Sequence, residues 1–402
     1  MSASSRRAPT PVVVTHALRT PIGRFLGGLA DVPAVDLGVS VVRAVLERAR
    51  LDPGEVDELI FGNGRQAGGG PNPARQVSVR AGLPVETPAW TLNMACASGL
   101  KALDLAVEAI RVGRTRVAVV GGMESMSRMP FMLPDMRRGY RLGHASVVDG
   151  MYRDGFLCPL SGLIMGETAE KLARQYSISR EQQDRFALES QHRCQAARAA
   201  GRFKDELSPV EVPGKRGESV RVELDEHPRD DATLESLAKL PPVFDKNTGT
   251  VSAGNSSGIT DGAAALLVMS AERAEELGLE PLAWVGDFTE AGVPPDVMGI
   301  GPVPAVRALR ERNGLSPADY DLIELNEAFA AQVLACQREL ELPMERLNVN
   351  GGAIALGHPI GATGARIVVT LLHEMARRGA RHGLATLCVS GGLGLATAFE
   401  RR

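Results

Sequence analysis

The chain has 402 residues, 44% of them hydrophobic and 23% charged, with a net charge of −3. That length supports two or three domains with large cores, and the balance is that of a soluble globular protein with no charge excess to suggest nucleic acid. No apolar run long enough to span a bilayer occurs, so no membrane partner is expected. Residues 1–10 are polar and lack an apolar stretch, which argues against a secretory signal. They are acid-poor and Arg-bearing, as transit peptides are, yet Val12-Val13-Val14 already reads as the first core strand.

In chain order, Pro11–Thr15 is a buried strand. Asp36–Arg50 spaces Leu37, Val41, Ala44, Val45 and Arg48 three or four apart, the period of a helix. Glu58–Gly62 is a short apolar run, followed by a Gly/Pro/Asn-rich loop to Pro73. Ala97–Val112 has a helical pattern, and Arg116–Gly121 is a strand closing on Gly-Gly. From about Met126 to Thr248 the composition shifts toward Arg, Asp, Glu and Met, which reads as an inserted lobe. Amphipathic helices are predicted at Met165–Gln175 and Arg180–Ala200, the second opened by Ser179 with Gln182 three residues on. Glu211–Asp231 reads as hairpin or loop.

Core returns with a turn at Gly254–Gly258 and a strand at Ala263–Met269. Ile323–Leu325 reads as a strand and Ala328–Arg338 as a helix. Ala362–Arg378 is a helix opened by a Gly-rich turn, and Leu384–Val389 a strand ending at Gly-Gly. The segments from Cys96 to Gly122 and from Pro359 to Gly392 share one plan: turn, helix, strand, Gly-Gly. We read an internal duplication of an α/β unit, each copy with a parallel or mixed sheet. The expected division is residues 1–125 and 250–275 for the first half, 126–249 for the inserted lobe and 276–402 for the second half.

Five cysteines, Cys96, Cys158, Cys194, Cys336 and Cys388, fit neither a disulfide framework nor a zinc site. A reducing, cytoplasmic location and no bound metal are therefore expected. Cys96 precedes a helix, whose N–H groups would favour a thiolate; it reads equally as a nucleophile or as a small buried hydrophobe. A lone histidine is more commonly a buried structural residue, but His358 lies in a loop too Gly-rich for simple core packing, and a thiol nucleophile needs a base. Cys388 ends a strand and, taken alone, reads as packing. Asn326 follows an apolar strand, where it caps a helix or fixes a water or ligand oxygen. Glu327 is a second candidate base. Cys158, Cys194 and Cys336 read as packing. The glycines around these residues would let backbone approach a substrate closely.

Six motifs occur in order: Asn93-Met-Ala-Cys-Ala-Ser-Gly99, Gly121-Gly-Met-Glu-Ser-Met-Ser127, Gly254-Asn-Ser-Ser-Gly258 with Asp261-Gly-Ala-Ala264, Asn326-Glu-Ala-Phe-Ala330, Gly351 to Ala362 around His358, and Cys388-x-x-Gly-Gly-x-Gly394. Together they resemble the thiolase family, from Arg19-Thr-Pro-Ile-Gly23 to the last strand. The resemblance implies an α/β thiolase fold, two duplicated halves in five αβαβα layers with an inserted loop domain. It implies an acyltransferase that cleaves 3-ketoacyl-CoA with CoA, or runs the reverse condensation, with CoA as co-substrate and no bound cofactor.

By the same resemblance Cys96 is acylated, and His358 takes its proton and then offers Nε2–H to the thioester oxygen. Asn326 holds a water at that oxygen, and Cys388 is the acid/base. The backbone N–H groups of Cys96 and residue 390 form a second oxyanion site. Position 390 is usually Gly in the motif and is Ser390 here. Ile164 stands where the family often has His or Pro before Met-Gly, which leaves acyl length open. Arg229, Ser236 and Ser257 fall on CoA-contacting positions, although Arg229 is followed by Asp230-Asp231 rather than His-Gly, and Met165 and Phe329 fall on the substrate side. The resemblance, with the apolar Met123–Met136 stretch, implies a homodimer or homotetramer. A short-chain acetoacetyl-CoA enzyme is the nearest alternative. A decarboxylating ketosynthase would carry His or Asn in place of Cys388, and a non-catalytic lipid carrier would not need the Cys/His/Cys/Asn set.

Overall fold

The computed structural model describes residues 10–214 and 218–402. Residues 1–9, most of the polar N-terminal stretch read above, and residues 215–217 within the expected hairpin lie outside the described residues. The first half runs β1 (Val12–Arg19), β2 (Gly23–Arg24), α1 (Ala34–Ala49), β3 (Glu58–Gly62), α2 (Pro73–Ala81), β4 (Ala89–Leu92), α3 (Ser98–Arg111) and β5 (Val117–Ser125). A middle stretch holds β6 (Phe131–Met132), β7 (Val148–Asp149), α4 (Met165–Gln175), α5 (Arg180–Ala199), β8 (Val210–Pro213), β9 (Ser219–Val222) and α6 (Leu234–Ala238). Then come β10 (Thr260–Ser270), α7 (Ala271–Glu276), β11 (Ala283–Gly292), α8 (Pro302–Asn313), β12 (Leu322–Leu325), α9 (Ala330–Leu340), α10 (Ala353–Leu356), α11 (Ile360–Arg378), β13 (His382–Val389) and β14 (Leu393–Glu400).

One continuous sheet carries the strands in the order β12-β13-β14-β11-β1-β10-β5-β3-β4, with β2 on β10. Its two ends mirror each other. In the first half β3 and β5 are parallel and β5, β10 and β1 antiparallel; in the second, β12 and β13 are parallel and β13, β14 and β11 antiparallel. The halves join where β1 meets β11. The duplication read from the sequence is thus a repeat of strand pairing as well as of motif order.

Strand alternation divides the core into layers. On β5, Ala118 and Val120 face α3 and α11, while Val117 and Val119 face α1 and α2. On the other half α8 and α9 cover the outer face through Val306, Leu309, Val333 and Ile323. The layers are therefore α1/α2, sheet, α3/α11, sheet, α8/α9. The five-layer expectation holds.

Several elements extend beyond their sequence-predicted ends. β5 continues through Gly121-Gly122 to Ser125, because those glycines are buried contacts rather than a turn. Met123 and Met126 are accordingly core, and only the later part of the expected apolar loop is exposed, at Phe131, Leu133 and Met136. α9 starts at Ala330 instead of Ala328, with Phe329 as its N-cap residue. Helix α2 was not predicted, although Asn72 caps it by accepting from Arg75 N and Pro73 opens it. Strands β11 and β14 and helix α8 were also missed; β14 (Leu-Gly-Leu-Ala-Thr-Ala-Phe-Glu) has too many small residues to declare itself a strand. The Ser179–Gln182 capping box is present as read.

The middle stretch is tied to the core by charge. Arg19 at the end of β1 is fully buried and donates to Asp225 at 2.7 and 2.9 Å and to Glu206 at 2.6 Å. Removing Arg19 would leave two buried carboxylates without their counter-charge, at a cost of about 3–5 kcal/mol. Among the described residues no helix is long and apolar enough to cross a membrane.

Candidate active site

Cys96 sits where β4 turns into α3. Ala95 before it holds φ at 45°, a left-handed conformation that costs a non-glycine residue roughly 1–2 kcal/mol. Side chains hold the strain in place: Asn93 Oδ1 accepts from Ala95 N at 3.0 Å, and Ser98 Oγ accepts from Met94 N at 2.9 Å while donating to Ala95 O at 2.7 Å. The sharp turn leaves Cys96 partly exposed to a cavity of about 250 Å³, which His358, Cys388 and Ser390 also line.

Close backbone approach brings His358 to that sulfur. A Cβ on Gly122 would lie 1.9 Å from Gly361 O, and one on Gly62 2.8 Å from the same oxygen. Where α3 crosses α11, a Cβ on Gly99 would meet Ala365 N at 2.6 Å and one on Gly364 would meet Leu100 N at 2.5 Å. The glycines read as room for a substrate therefore first serve backbone-to-backbone packing, which presses the start of α11 onto β3, β5 and α3.

His358 Nε2 is 3.3 Å from Cys96 Sγ. The other ring nitrogen fixes the tautomer. Thr363 gives its one hydroxyl proton to Pro359 O (3.0 Å), so its oxygen accepts from His358 Nδ1–H at 2.6 Å. The Nε2 lone pair then faces the thiol.

Burial raises the Cys96 thiol pKa above its ordinary value; the Arg65 cation and the N–H groups of Ser390 and of Cys96 itself pull it back without cancelling the shift. Burial, with Arg366 and Arg65 adding to it, holds His358 down to about 3. The resting pair is a neutral thiol against a neutral imidazole. The expectation that the helix start would leave a low-pKa thiol is corrected: desolvation outweighs the N–H dipoles here. Those N–H groups do have the pairing expected of an oxyanion site, Cys96 with residue 390. Ser390 is absent from the positive-φ positions, which fall on Gly391 (φ 92°) and Gly392 (φ 90°). The serine therefore fits this turn without strain.

Cys388 is buried at the end of β13, packed with Cys158, Met165, Met298, Ala328 and Phe329. Its pKa is raised well above the ordinary value by burial and by the neighbouring Cys96. Asn326 is 1% exposed, and among the described residues neither Nδ2 nor Oδ1 has a hydrogen-bond partner. An orphaned buried amide of this kind calls for a small polar partner. The capping role weighed for Asn326 is excluded by the start of α9. Glu327 is no free base: it accepts from Ser190 Oγ, Asn348 Nδ2 and Ile354 N at 2.7, 2.9 and 3.1 Å and so braces the segment leading to His358.

Of the five expected substrate contacts, Met165, Phe329 and Ser257 line the cavity. Arg229 and Ser236 are exposed and do not. The Ser236 hydroxyl is engaged with Thr233 at the start of α6. Cys194 and Cys336 are buried, each pushed up to about 12 by desolvation, as packing residues should be. Cys158 is also buried and packed, as read, but its thiol is set differently. It lies in a turn beside Cys388, and although burial raises its pKa, the Ser161 hydroxyl and the N–H groups of Ser161, Leu160 and Gly391 bring it below the ordinary value.

Sequence reading missed Thr363, Glu124, Arg65 and the aromatic walls Tyr152, Phe156 and Phe244. Glu124 is buried and accepts from Asn63 Nδ2, Gly64 N, Arg65 N and Gly361 N, so one carboxylate joins β5, the loop after β3 and the start of α11. Burial pushes it up to about 7, against the pull of Arg65 and those N–H groups.

A thiol with an aligned base, a second thiol and backbone donors around one cavity is the equipment of an acyltransferase that works through a thioester. The comparisons agree. The thiolase N-terminal domain matches residues 12–272 and the thiolase C-terminal domain residues 279–401. The acetyl-CoA acetyltransferase of Pseudomonas aeruginosa is 53% identical over 97% of this chain and 99% of its own. The crystal structure of the Bacillus anthracis acetyl-CoA acetyltransferase superposes with a TM-score of 0.95 at 45% identity, over 98% of this chain and 99% of that one. Human mitochondrial 3-ketoacyl-CoA thiolase in complex with CoA does so at 0.93 and 41%, over 98% of each. The chain belongs to the thiolase family.

Proposed function

We propose that the protein transfers acyl groups between CoA and the thiol of Cys96, cleaving 3-ketoacyl-CoA with CoA or running the reverse condensation. The observation that carries this is the 3.3 Å approach of His358 Nε2 to Cys96 Sγ, with the tautomer set by Thr363 and Cys388 in the same cavity.

In the cleavage direction His358 Nε2 takes the Cys96 proton as the sulfur attacks the 3-keto carbon. The new alkoxide lies within the reach of donors, and preorganised donors of this kind contribute several kcal/mol. Collapse breaks the C2–C3 bond, and the departing acetyl-CoA carbanion takes the Cys388 proton. The Cys388 thiolate then takes the proton of an incoming CoA, whose sulfur displaces the acyl group from Cys96, and the departing Cys96 thiolate recovers its proton from His358. Its high pKa suits the first of these roles, since a buried neutral thiol is ready to donate. Asn326, through a bound water, and His358 Nε2–H serve the thioester oxygen of acetyl-CoA while it carries enolate charge.

CoA is the co-substrate, supported by the CoA complex of the human relative. Ser257, Met165 and Phe329 are the contacts we keep from the sequence reading; Arg229 and Ser236 are proposed for the nucleotide end, outside the cavity. The names of the bacterial relatives favour a short acyl chain, acetoacetyl-CoA included. We also propose a homodimer or homotetramer formed over the exposed Phe131, Leu133 and Met136, and a cytoplasmic location, with which five free cysteines agree.

The test is intact-protein mass spectrometry after mixing with acetyl-CoA alone. An acetyl group on Cys96, removed by adding CoA, is expected. Acetylation at another residue, or none, would overturn the assignment.

A further inference from the structure

Among the described residues, one side chain that lines the catalytic cavity is charged at rest, Arg65, and the mechanism above leaves it without a task. Arg65 is 8% exposed. Among the described residues its guanidinium makes a single hydrogen bond, from Nη1 to Gly64 O at 3.2 Å, and no carboxylate comes within 4 Å of it. Its Nε is buried without a partner. The nearest acid in charge terms, Glu124, has its oxygens committed to Asn63 Nδ2 and three backbone N–H groups. The helical turn Tyr152–Phe156 lies directly on the guanidinium: a Cβ on Gly155 would sit 2.7 Å from Nε and 3.0 Å from Nη2. Arg65 is also tied to the nucleophile's turn, because Asn93 Nδ2 donates to Gly64 O at 3.3 Å.

A buried cation with spare donors is costly unless an anion meets it, and a guanidinium is shaped to take a carboxylate on two parallel N–H groups. The other walls, Phe156, Ile164, Val243, Phe244 and Phe329, offer no charge. We propose that Arg65 receives a carboxylate at the far end of the acyl chain, so that this thiolase favours short 3-ketoacyl-CoA substrates with a terminal carboxylate over their methyl-ended counterparts. The inference rests on the thiolase reading and names its substrate class. The chemistry at Cys96 is unchanged; only the group at the tail differs.

The experiment compares kcat/KM for thiolysis of the six-carbon 3-ketoacyl-CoA ending in a carboxylate with the six-carbon one ending in methyl, using wild type, Arg65→Met and Arg65→Gln. The readout is the ratio of the two substrates within each protein, so a general loss of activity cancels. A ratio of at least about tenfold in wild type, falling to one or below in both variants, is the expected result; tenfold corresponds to about 1.4 kcal/mol. A wild-type ratio at or below one overturns the proposal even if neither variant folds. So does an equal loss on both substrates in the variants, which would make Arg65 a general electrostatic support for Cys96. Thiolysis of either six-carbon substrate by wild type is the separate control: failure on both would sink the thiolase reading, whereas turnover with a ratio at or below one sinks only the role of Arg65.

Discussion

The two copies of the α/β unit begin from one plan and reach opposite chemistry. In the first, the cysteine precedes the helix, at the strained turn into α3. In the second, it ends the strand, at the close of β13. Cys96 is consequently part-exposed, with a base 3.3 Å away, and Cys388 is buried at the cavity wall among Met165, Met298 and Phe329. In the function proposed above, the same residue type serves as a nucleophile in one copy and a proton donor in the other, because the position in the unit decides what can reach the sulfur. The Gly-Gly pairs differ likewise. Gly121-Gly122 lies inside β5, where Gly122 admits the backbone of α11, while Gly391-Gly392 makes a left-handed turn next to Ser390.

The largest effect should separate the two thiols. Cys96→Ala removes the atom that carries the acyl group, and turnover in both directions should be lost. Cys388→Ser should lower turnover by roughly 10²–10⁴-fold, the usual size of an acid–base contribution, while rapid acetylation of Cys96 persists. If Cys388→Ser also abolished that labelling, the division of labour between the copies would be wrong.

The two Gly-Gly pairs can be set against each other next, by stability. In Gly122→Ala the new Cβ would sit 1.9 Å from Gly361 O, a backbone atom that cannot swing aside. Overpacking costs typically 1–3 kcal/mol, and this rigid clash should exceed about 3. Gly391→Ala meets nothing within 4 Å and carries only the penalty of φ at 92°, roughly 1–2 kcal/mol. Chemical denaturation of both variants measures the gap. Equal losses would mean that Gly391 is confined as tightly as Gly122.

Much of this contrast was open to reading before the structure. Motif order singled out Cys96, His358 and Cys388, which the fold brings to one cavity, and the repeat of helix, strand and Gly-Gly disclosed the duplication. What sequence could not supply was direction. Whether Gly121-Gly122 turned the chain or extended the strand depended on Gly361, some 240 residues away. The thiol's pKa depended on how deep the turn lies, so the helix-start argument chose the wrong sign. Thr363 fixes the His358 tautomer from the first turn of α11, a contact between residues five apart that a helix pattern alone does not reveal. Arg65 sits in a loop whose glycines and prolines carry no period, and only the fold places it on the cavity wall.

The state of the resting thiol gives a smaller, graded test. Cys96 has its pKa above the ordinary value because burial outweighs the Arg65 and N–H contributions. The reactive thiolate therefore grows in as pH rises toward the shifted value and is lost as pH falls. Alkylation of Cys96 by iodoacetamide should climb about tenfold per pH unit from 6 to 8 and still be rising at the ordinary thiol pKa. A plateau near neutrality would show instead a thiolate–imidazolium pair at rest, and would put His358 well above about 3.

The smallest effect concerns Ser390, the residue by which this chain departs from the usual glycine. A side chain there matters only if it bends the backbone away from Cys96. The structure places the left-handed angles on Gly391 and Gly392, leaves Ser390 in ordinary φ, and keeps its N–H directed at the Cys96 sulfur. Ser390→Gly thus has no strain to relieve and no donor to restore. It would add freedom to a turn that two glycines already define, which favours a slight loss. Single-turnover deacylation of acyl-Cys96 by CoA should change by less than about tenfold, or about 1.4 kcal/mol. An acceleration of more than about 100-fold is the size of a recovered oxyanion donor. That outcome would mean the serine holds the loop out of line, and that the second copy's turn limits the chemistry begun in the first.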